Sequence, residues 1–421
     1  MKRRITVIIC LCISILIVIF LLTRREQVDN GNNSYNLKDK STIEAAVSSE
    51  SIDESDIYDK GYDLPIDKNE EKAAKDECKV VVKEVSDIFK SAKKIDSFSI
   101  ELSEKEVNEC VDKISLLGYS VTSKERYFNM QNYKKFDLFL KECMDGKAGV
   151  HTIYEVLSSG GICRKQYIFD GADLYVLSAL YVWEKGNDEN ISITYDRIKN
   201  WKYTESGWFG YELCVPEYPE VTEMVDGACL IRVLPLSKQK IQMSKKYVSI
   251  IAYQGNNLLC SDWDENHLKK LDYNGLFEYL YLLEHKEKPD IKKTENGIRK
   301  EEFENLMTKY LPVSKQQLQK YAQYDKKNKV YLRKKLGCIN YTLSEFGTSY
   351  PEVVKYKNNS DGTVTLTVNA VCEMILYNEA VITHELTIKE NEDGSFTYLG
   401  NKILSDDLCN VPDYQYRVYK D

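Results

Sequence analysis

The densest cluster of groups able to do chemistry is Asp262-Trp263-Asp264-Glu265-Asn266-His267. Two carboxylates at alternate positions followed by an imidazole can hold a divalent cation or supply an acid and a base, which makes Asp262, Asp264 and His267 the candidate catalytic residues. An EF-hand loop is excluded, because its sixth position would be His267 rather than Gly and its twelfth Tyr273 rather than Glu. A plainer reading competes, in which Asp262 or Asp264 caps a short helical turn leading into Leu268 and Leu271. The other histidines, His151, His285 and His384, stand far apart in sequence and form no metal-ligand spacing. His384 and Glu385 fall in an expected strand, so their side chains leave on opposite faces. His151 sits in the alternation of another expected strand and reads as a hydrogen-bonded sheet residue. There is no Gly-x-Ser-x-Gly elbow, phosphate loop or dinucleotide fingerprint, and Ser158-Ser159-Gly160-Gly161 reads as a hairpin turn. No metal and no cofactor is expected. The ten cysteines after residue 25 include no Cys-x-x-Cys pair, which disfavours a zinc ribbon or a thioredoxin-type site. Thirty-one tyrosines, with Trp183, Trp201, Trp208 and Trp263, either fill a curved sheet or line a ligand surface.

The elements that must position these groups begin after an unusual N-terminus. Ile5 to Leu22 carry no charge, and at about 1.5 Å per residue the run spans roughly the hydrocarbon core of a bilayer. No small-x-small cleavage site precedes Arg24-Arg25, so residues 1–25 read as a cytoplasmic tip and an uncleaved transmembrane signal-anchor. Lys2, Arg3 and Arg4 place the N-terminus in the cytoplasm and the remainder outside, with the lipid bilayer as a partner through Ile5 to Leu22. Residues 26–73 are acidic and lack apolar period, and read as a disordered linker. A net charge of −8 argues against a nucleic-acid partner.

The folded remainder is expected to be α+β, with two domains, 74–215 and 216–421, each with helices packed on a curved antiparallel β-sheet. Ala74, Cys78, Val81, Val85 and Ile88 recur at helical steps, and Ser103-x-x-Glu106 is a capping box ahead of Val107, Cys110, Val111 and Ile114. Tyr133 to Cys143 gives a third helix. Then the period becomes two over Val150–Leu157, Ile162–Phe169, Leu174–Trp183, Ile191–Tyr203 and Trp208–Val215, separated by tight turns that join only antiparallel neighbours. In the second half, Leu230–Leu234 and Val248–Tyr253 are strand-like and Leu271–Glu284 is an apolar helix. Helices follow at Phe303–Tyr310 and after Ser314-x-x-Gln317. Strands turned at Asp361-Gly362 and Asp393-Gly394 end the chain.

This order of elements resembles the nuclear-transport-factor-2-like, or cystatin-like, folds. Tyr253-Gln254-Gly255-Asn256-Asn257-Leu258, Asp262-Trp263-Asp264 and Tyr398-Leu399-Gly400-Asn401-Lys402-Ile403 resemble an uncharacterised family of membrane-anchored proteins from anaerobic Gram-positive bacteria. The resemblance implies location and no activity. The expected function is non-catalytic binding in the cell envelope, of another envelope protein or a small ligand. The alternative is an envelope hydrolase or transferase using Asp262, Asp264 and His267, and enzyme status stays open.

Overall fold

A computed structural model describes residues 59–96, 99–183, 190–336, 347–372, 380–406 and 414–418. The apolar run Ile5 to Leu22 lies outside the described residues. Among the described residues no helix is long and apolar enough to cross a membrane. The chain divides into two compact units, Met1–Lys60 with Val215–Asp226 and Gly61–Cys214 with Gly227–Asp421. The described part of the smaller unit carries an ion pair between Lys60 and Glu220. The larger unit holds a seven-stranded and a four-stranded sheet, two smaller sheets and the helices.

The end of the acidic segment, read as linker to residue 73, is folded. The Arg197 N–H donates to the Gly61 carbonyl (2.7 Å) and the Leu64 N–H to the Tyr195 carbonyl (2.8 Å). Helix α1 (Lys68–Ser91) begins ahead of Ala74, where the Asp67 side chain accepts from the Asn69 N–H and Glu70 and Glu71 occupy the first turn. That start rests on capping and on the helix dipole, neither of which shows as apolar period. Helix α2 (Glu104–Leu116) closes the Ser103/Glu106 box in both directions. Helix α3 (Tyr133–Met144) has no side-chain cap, but the Asn132 amide donates to the Ser115 and Tyr119 carbonyls and ties its start to the end of α2.

Seven strands form the first sheet in chain order: β1 (Ser120–Ser123), β2 (Gly149–Leu157), β3 (Gly161–Phe169), β4 (Leu174–Val182), β5 (Ile191–Tyr203), β6 (Trp208–Leu213) and β7 (Ala228–Arg232). The five expected strands pair antiparallel in order, but the sheet is not antiparallel throughout, because the added strand β1 runs parallel to β2, with α3 as the crossover that a parallel pair requires. The helices cover both faces of the sheet. Helices α1 and α2 bury Tyr154, Val156, Ile162, Leu177 and Ala179, while α3 buries Ile153, Tyr167, Phe169, Val176 and Phe209 on the other side. The sheet also continues past Val215 to take in Ala228–Arg232, which overlaps the strand-like run Leu230–Leu234 that the sequence places in the second half.

The second sheet is antiparallel in chain order: β8 (Tyr350–Asn358), β9 (Thr363–Val371), β10 (Ile382–Glu390) and β11 (Phe396–Asp406). Before it come the short helix α4 (Lys238–Met243), then α5 (Tyr273–His285), α6 (Lys300–Tyr310) and α7 (Lys315–Tyr321). Leu276, Phe277, Phe303, Met307 and Leu318 share one core with Val368, Leu386, Ile388 and Tyr398. The run Val248–Tyr253 is not a strand. A π-turn over Ser244–Val248 leads into further turns, and Val248 and Ile251 are fully buried there, so tertiary burial overrides their β preference.

Candidate functional site

Alternation along the first sheet puts charged residues on the α3 face, among aromatic neighbours. Lys165 lies directly across from Ile153, and Glu155 across from Cys163. Lys165 Nζ is 2.8 Å from Glu155 Oε2 and donates to the Tyr211 hydroxyl at 3.1 Å, which also accepts from the Tyr167 hydroxyl at 3.1 Å. All four residues are buried. Burial opposes the charge on Lys165, but Glu155 and the two phenols outweigh it and hold the ammonium well above its usual range. Burial likewise opposes the Glu155 carboxylate, and Lys165 with Lys124 keeps it below the usual value. The pair is ionised and internally neutral.

Glu155 also lines a cleft where the first sheet meets β8. The loop after β1 closes one side. The Asn129 amide donates to the Leu236 carbonyl (2.8 Å) and its oxygen accepts the Leu236 N–H (2.9 Å), which joins this loop to the segment after β7. Tyr127 adopts a left-handed backbone (φ 62°) and its hydroxyl donates to the Pro351 carbonyl at 2.5 Å. For a bulky residue that conformation costs on the order of 1–2 kcal/mol, so the surroundings hold it in place. On the opposite wall Arg232 is buried, pairs with Glu352, donates to the Ser206 carbonyl (2.7 Å) and lies 4.2 Å above the Trp208 ring. Arg126 stands 5.0 Å over the Tyr350 ring, and Trp208 meets Tyr350 edge-on at 6.3 Å.

The buried charges of the cleft are therefore paired within the fold. Its exposed ones are Lys124, Glu125 and Arg126, and among the described residues neither Lys124 nor Arg126 has an ion-pair or side-chain hydrogen-bond partner. The cavity is about 30 Å³, enough for a water molecule or the end of a side chain. A pocket that encloses a whole small molecule needs roughly 300 Å³ or more. This geometry suits a surface contact in which one polar group enters between aromatic walls.

The sequence candidates lie elsewhere. Asp264 Oδ1 accepts from the backbone N–H groups of Asn266 (2.8 Å) and His267 (3.0 Å), and it is 2.7 Å from His267 Nδ1. The His267 bond holds the Asp264 carboxyl below its usual range. Both side chains are more than half exposed. Asp262 is engaged separately, accepting the Ile403 N–H at 2.8 Å. The fold thus brings Asp264 and His267 together and leaves Asp262 hydrogen-bonded to β11 instead. Among the described residues no three His, Cys, Asp or Glu are grouped to hold a metal ion.

The segments that carry the family resemblance meet in one buried knot. Trp263 and Asn401 exchange backbone hydrogen bonds (3.0 and 2.9 Å), and a Cβ on Gly400 would stand 3.0 Å from the Trp263 carbonyl. The Asn401 amide donates to the carbonyls of Leu259 (3.2 Å) and Ser261 (3.0 Å), so its oxygen is the acceptor facing His384 Nδ1 at 2.6 Å. His384 therefore carries its proton on Nδ1, and Nε2 accepts from the Tyr253 hydroxyl at 2.9 Å. Burial pushes the His384 pKa down to about 4. His151 and Trp201 pack on the α3 face, Trp183 joins the α1/α2 core, and Trp208 faces Tyr350, so these four side chains do not converge.

Sequence reasoning missed Glu155, Lys165, Arg232 and Glu352. Their one signal was a charged residue on an alternating face that should be apolar. Residues 71–417 match DUF6070, a family of unknown function, and the chain belongs to that family. No curated protein and no solved structure matches it.

Proposed function

We propose that this is a single-span protein of a bacterial cell envelope, anchored through Ile5 to Leu22, whose folded part lies outside the cytoplasm and acts by binding. Its cleft at Trp208 and Tyr350 takes an acidic group of a protein partner. The observation that carries this reading is the pair of exposed cations, Lys124 and Arg126, which have no ion-pair or side-chain hydrogen-bond partner among the described residues and stand at the rim of an aromatic cleft whose buried charges are already paired. Glu125 on the same loop removes part of that positive charge, so attraction is modest and screened by salt. Arg and Trp or Tyr presented on rigid supports are the residue types that dominate protein interfaces. The apolar run, the acidic segment after it and the helix-plus-sheet layout, akin to nuclear-transport-factor-2-like folds, support the location and the binding role.

Location is tested by adding protease to intact cells that make the full chain. Loss of the folded part with survival of the N-terminal tip is expected, and complete protection until lysis contradicts the assignment. Binding is tested with a short glutamate-containing peptide and its glutamine counterpart, added to the full chain in detergent. Preference for the glutamate form is expected, and equal or absent binding of the two contradicts the role of the cleft.

A further inference from the structure

Positive charge gathers in a segment that the cleft does not use. Lys326-Lys327-Asn328-Lys329-Val330-Tyr331-Leu332-Arg333-Lys334-Lys335 holds six cations and no acid in ten residues, in a chain whose net charge is −8. The run starts at the tip of a small antiparallel sheet, in which Val330–Tyr331 lies between Ile298–Arg299 and Tyr324–Asp325. Asp325 builds the turn. Its Oδ1 accepts the N–H groups of Lys327 (2.8 Å) and Asn328 (3.0 Å), and its Oδ2 accepts the Asn328 amide (2.7 Å). Lys329 then takes a left-handed backbone (φ 55°), and its carbonyl accepts the Lys300 N–H at 3.2 Å. Behind the tip, Tyr331 is buried, stacks on Phe303 at 3.9 Å and donates to Glu304 Oε1 at 3.0 Å. The lysines are therefore carried on a fixed turn.

Lys326, Lys327, Lys329 and Lys335 are exposed, and among the described residues none of them has an ion-pair or side-chain hydrogen-bond partner. Other surface lysines are balanced, Lys113 on Asp87, Lys141 on Asp137 and Lys309 on Glu284. Within the run Arg333 is committed to Glu278. Arg299, across from Val330, adds an exposed guanidinium with Glu302 3.4 Å away. Between Lys329 and Lys335 in sequence stands Leu332, 41 % exposed. A shaped acidic pocket is met best by the planar fork of arginine, whereas lysine offers a point charge on a flexible stem. Several such charges around one exposed apolar side chain suit a broad anionic surface. Polybasic segments held next to a bilayer are drawn to its negative surface potential, and an apolar side chain among them reaches the headgroup boundary.

We propose that the ridge 326–335 rests on the anionic headgroups of the bilayer in which the chain is anchored. This contact presupposes the location argued above, with Ile5 to Leu22 in that bilayer, and the experiment separates the two. The full chain is reconstituted with vesicles of phosphatidylcholine alone, or of phosphatidylcholine with phosphatidylglycerol, and floated on a density gradient. It is then treated with an amine-acetylating reagent and mapped by mass spectrometry. Flotation with both vesicles is expected. On those with phosphatidylglycerol, Lys326, Lys327, Lys329 and Lys335 should be acetylated at least threefold more slowly, relative to Lys105 and Lys134, which are exposed on α2 and α3. The protection should vanish in about 1 M salt, where charges are screened beyond roughly 3 Å. It should also vanish at Lys329 when Lys326→Gln, Lys327→Gln and Lys335→Gln are combined; should that variant not fold, salt decides on the unaltered chain. Equal acetylation on the two vesicles, or protection that survives salt, overturns the proposal. Flotation with neither vesicle overturns it together with the anchor. Flotation with the anionic vesicles alone overturns the anchor, and it supports the ridge if the triple variant abolishes it and overturns the ridge if not. Protection by soluble polyphosphate without protection by vesicles overturns the proposal in favour of an anionic polymer.

Discussion

Replacing His384 with glutamine should flatten the acid side of the stability profile. In the fold the imidazole is buried and neutral with a pKa near 4, against an ordinary value of about 6.5 in the unfolded chain. Because the folded value is the lower one, the stability it provides is present above about pH 6.5 and is lost as pH falls toward 4. The linkage gives a loss of about 2 kcal/mol by pH 5 and about 3 kcal/mol by pH 4. His384→Gln keeps an acceptor for the Tyr253 hydroxyl but removes both the titration and the bond to Asn401, so it should cost about 1–3 kcal/mol at pH 7. Between pH 7 and pH 5 its further loss should then be about 2 kcal/mol smaller than that of the wild type. Urea unfolding of the full chain in detergent at pH 5, 6 and 7 measures this, in a window above the usual carboxylate range. Parallel losses in the two proteins would refute the reasoning, since His384 would then titrate alike in both states. His151, also lowered to about 4 by burial, contributes with the same sign in both proteins and cancels in the comparison.

Glu352→Gln should destabilise the chain by about 3–5 kcal/mol in the same assay, because it strands the buried Arg232 charge, whereas Arg232→Met with Glu352→Leu together should come close to wild type. Among the eight described thiols, Cys229 should react first with an alkylating reagent in the native chain, since it is the least buried. Burial pushes Cys78, Cys110 and Cys260 up to about 12, so their labelling before unfolding, followed by mass spectrometry, would contradict the packing. Asp264→Asn should melt near wild type because it keeps the turn's acceptor, and Asp264→Ala should melt lower. The reverse order would mean that the charge, and not the turn, is what Asp264 supplies.

Local signals made much of the fold legible. The capping boxes at Ser103 and Ser314 form as their residues specify, and the alternating runs from Val150 to Tyr203 are strands. What escaped depends on contacts between distant segments. The parallel β1–β2 pair follows from α3 crossing between two short strands, and Ser120 to Ser123 is too brief to announce itself by period. Alternation shows which residues share a face but not what covers it, so the two-sided burial of the first sheet was hidden. For the same reason nothing in the sequence marked Glu155 and Lys165 as buried partners, and Arg417 gave no hint that it is buried beside Glu278. The chemistry-bearing cluster at Asp262 was conspicuous because its polar residues are adjacent in sequence. The charges that line the cleft come from segments as far apart as Lys124 and Glu352 and become neighbours only in the fold.

The most direct test of the binding role is a tryptophan-fluorescence titration of the full chain with the glutamate peptide, in low and in raised salt. Saturable binding is predicted, weakened by salt and weakened at least tenfold by Lys124→Ala with Arg126→Ala. The spectral change should vanish in Trp208→Phe. No saturable binding, or binding that the two cation substitutions leave intact, would contradict it.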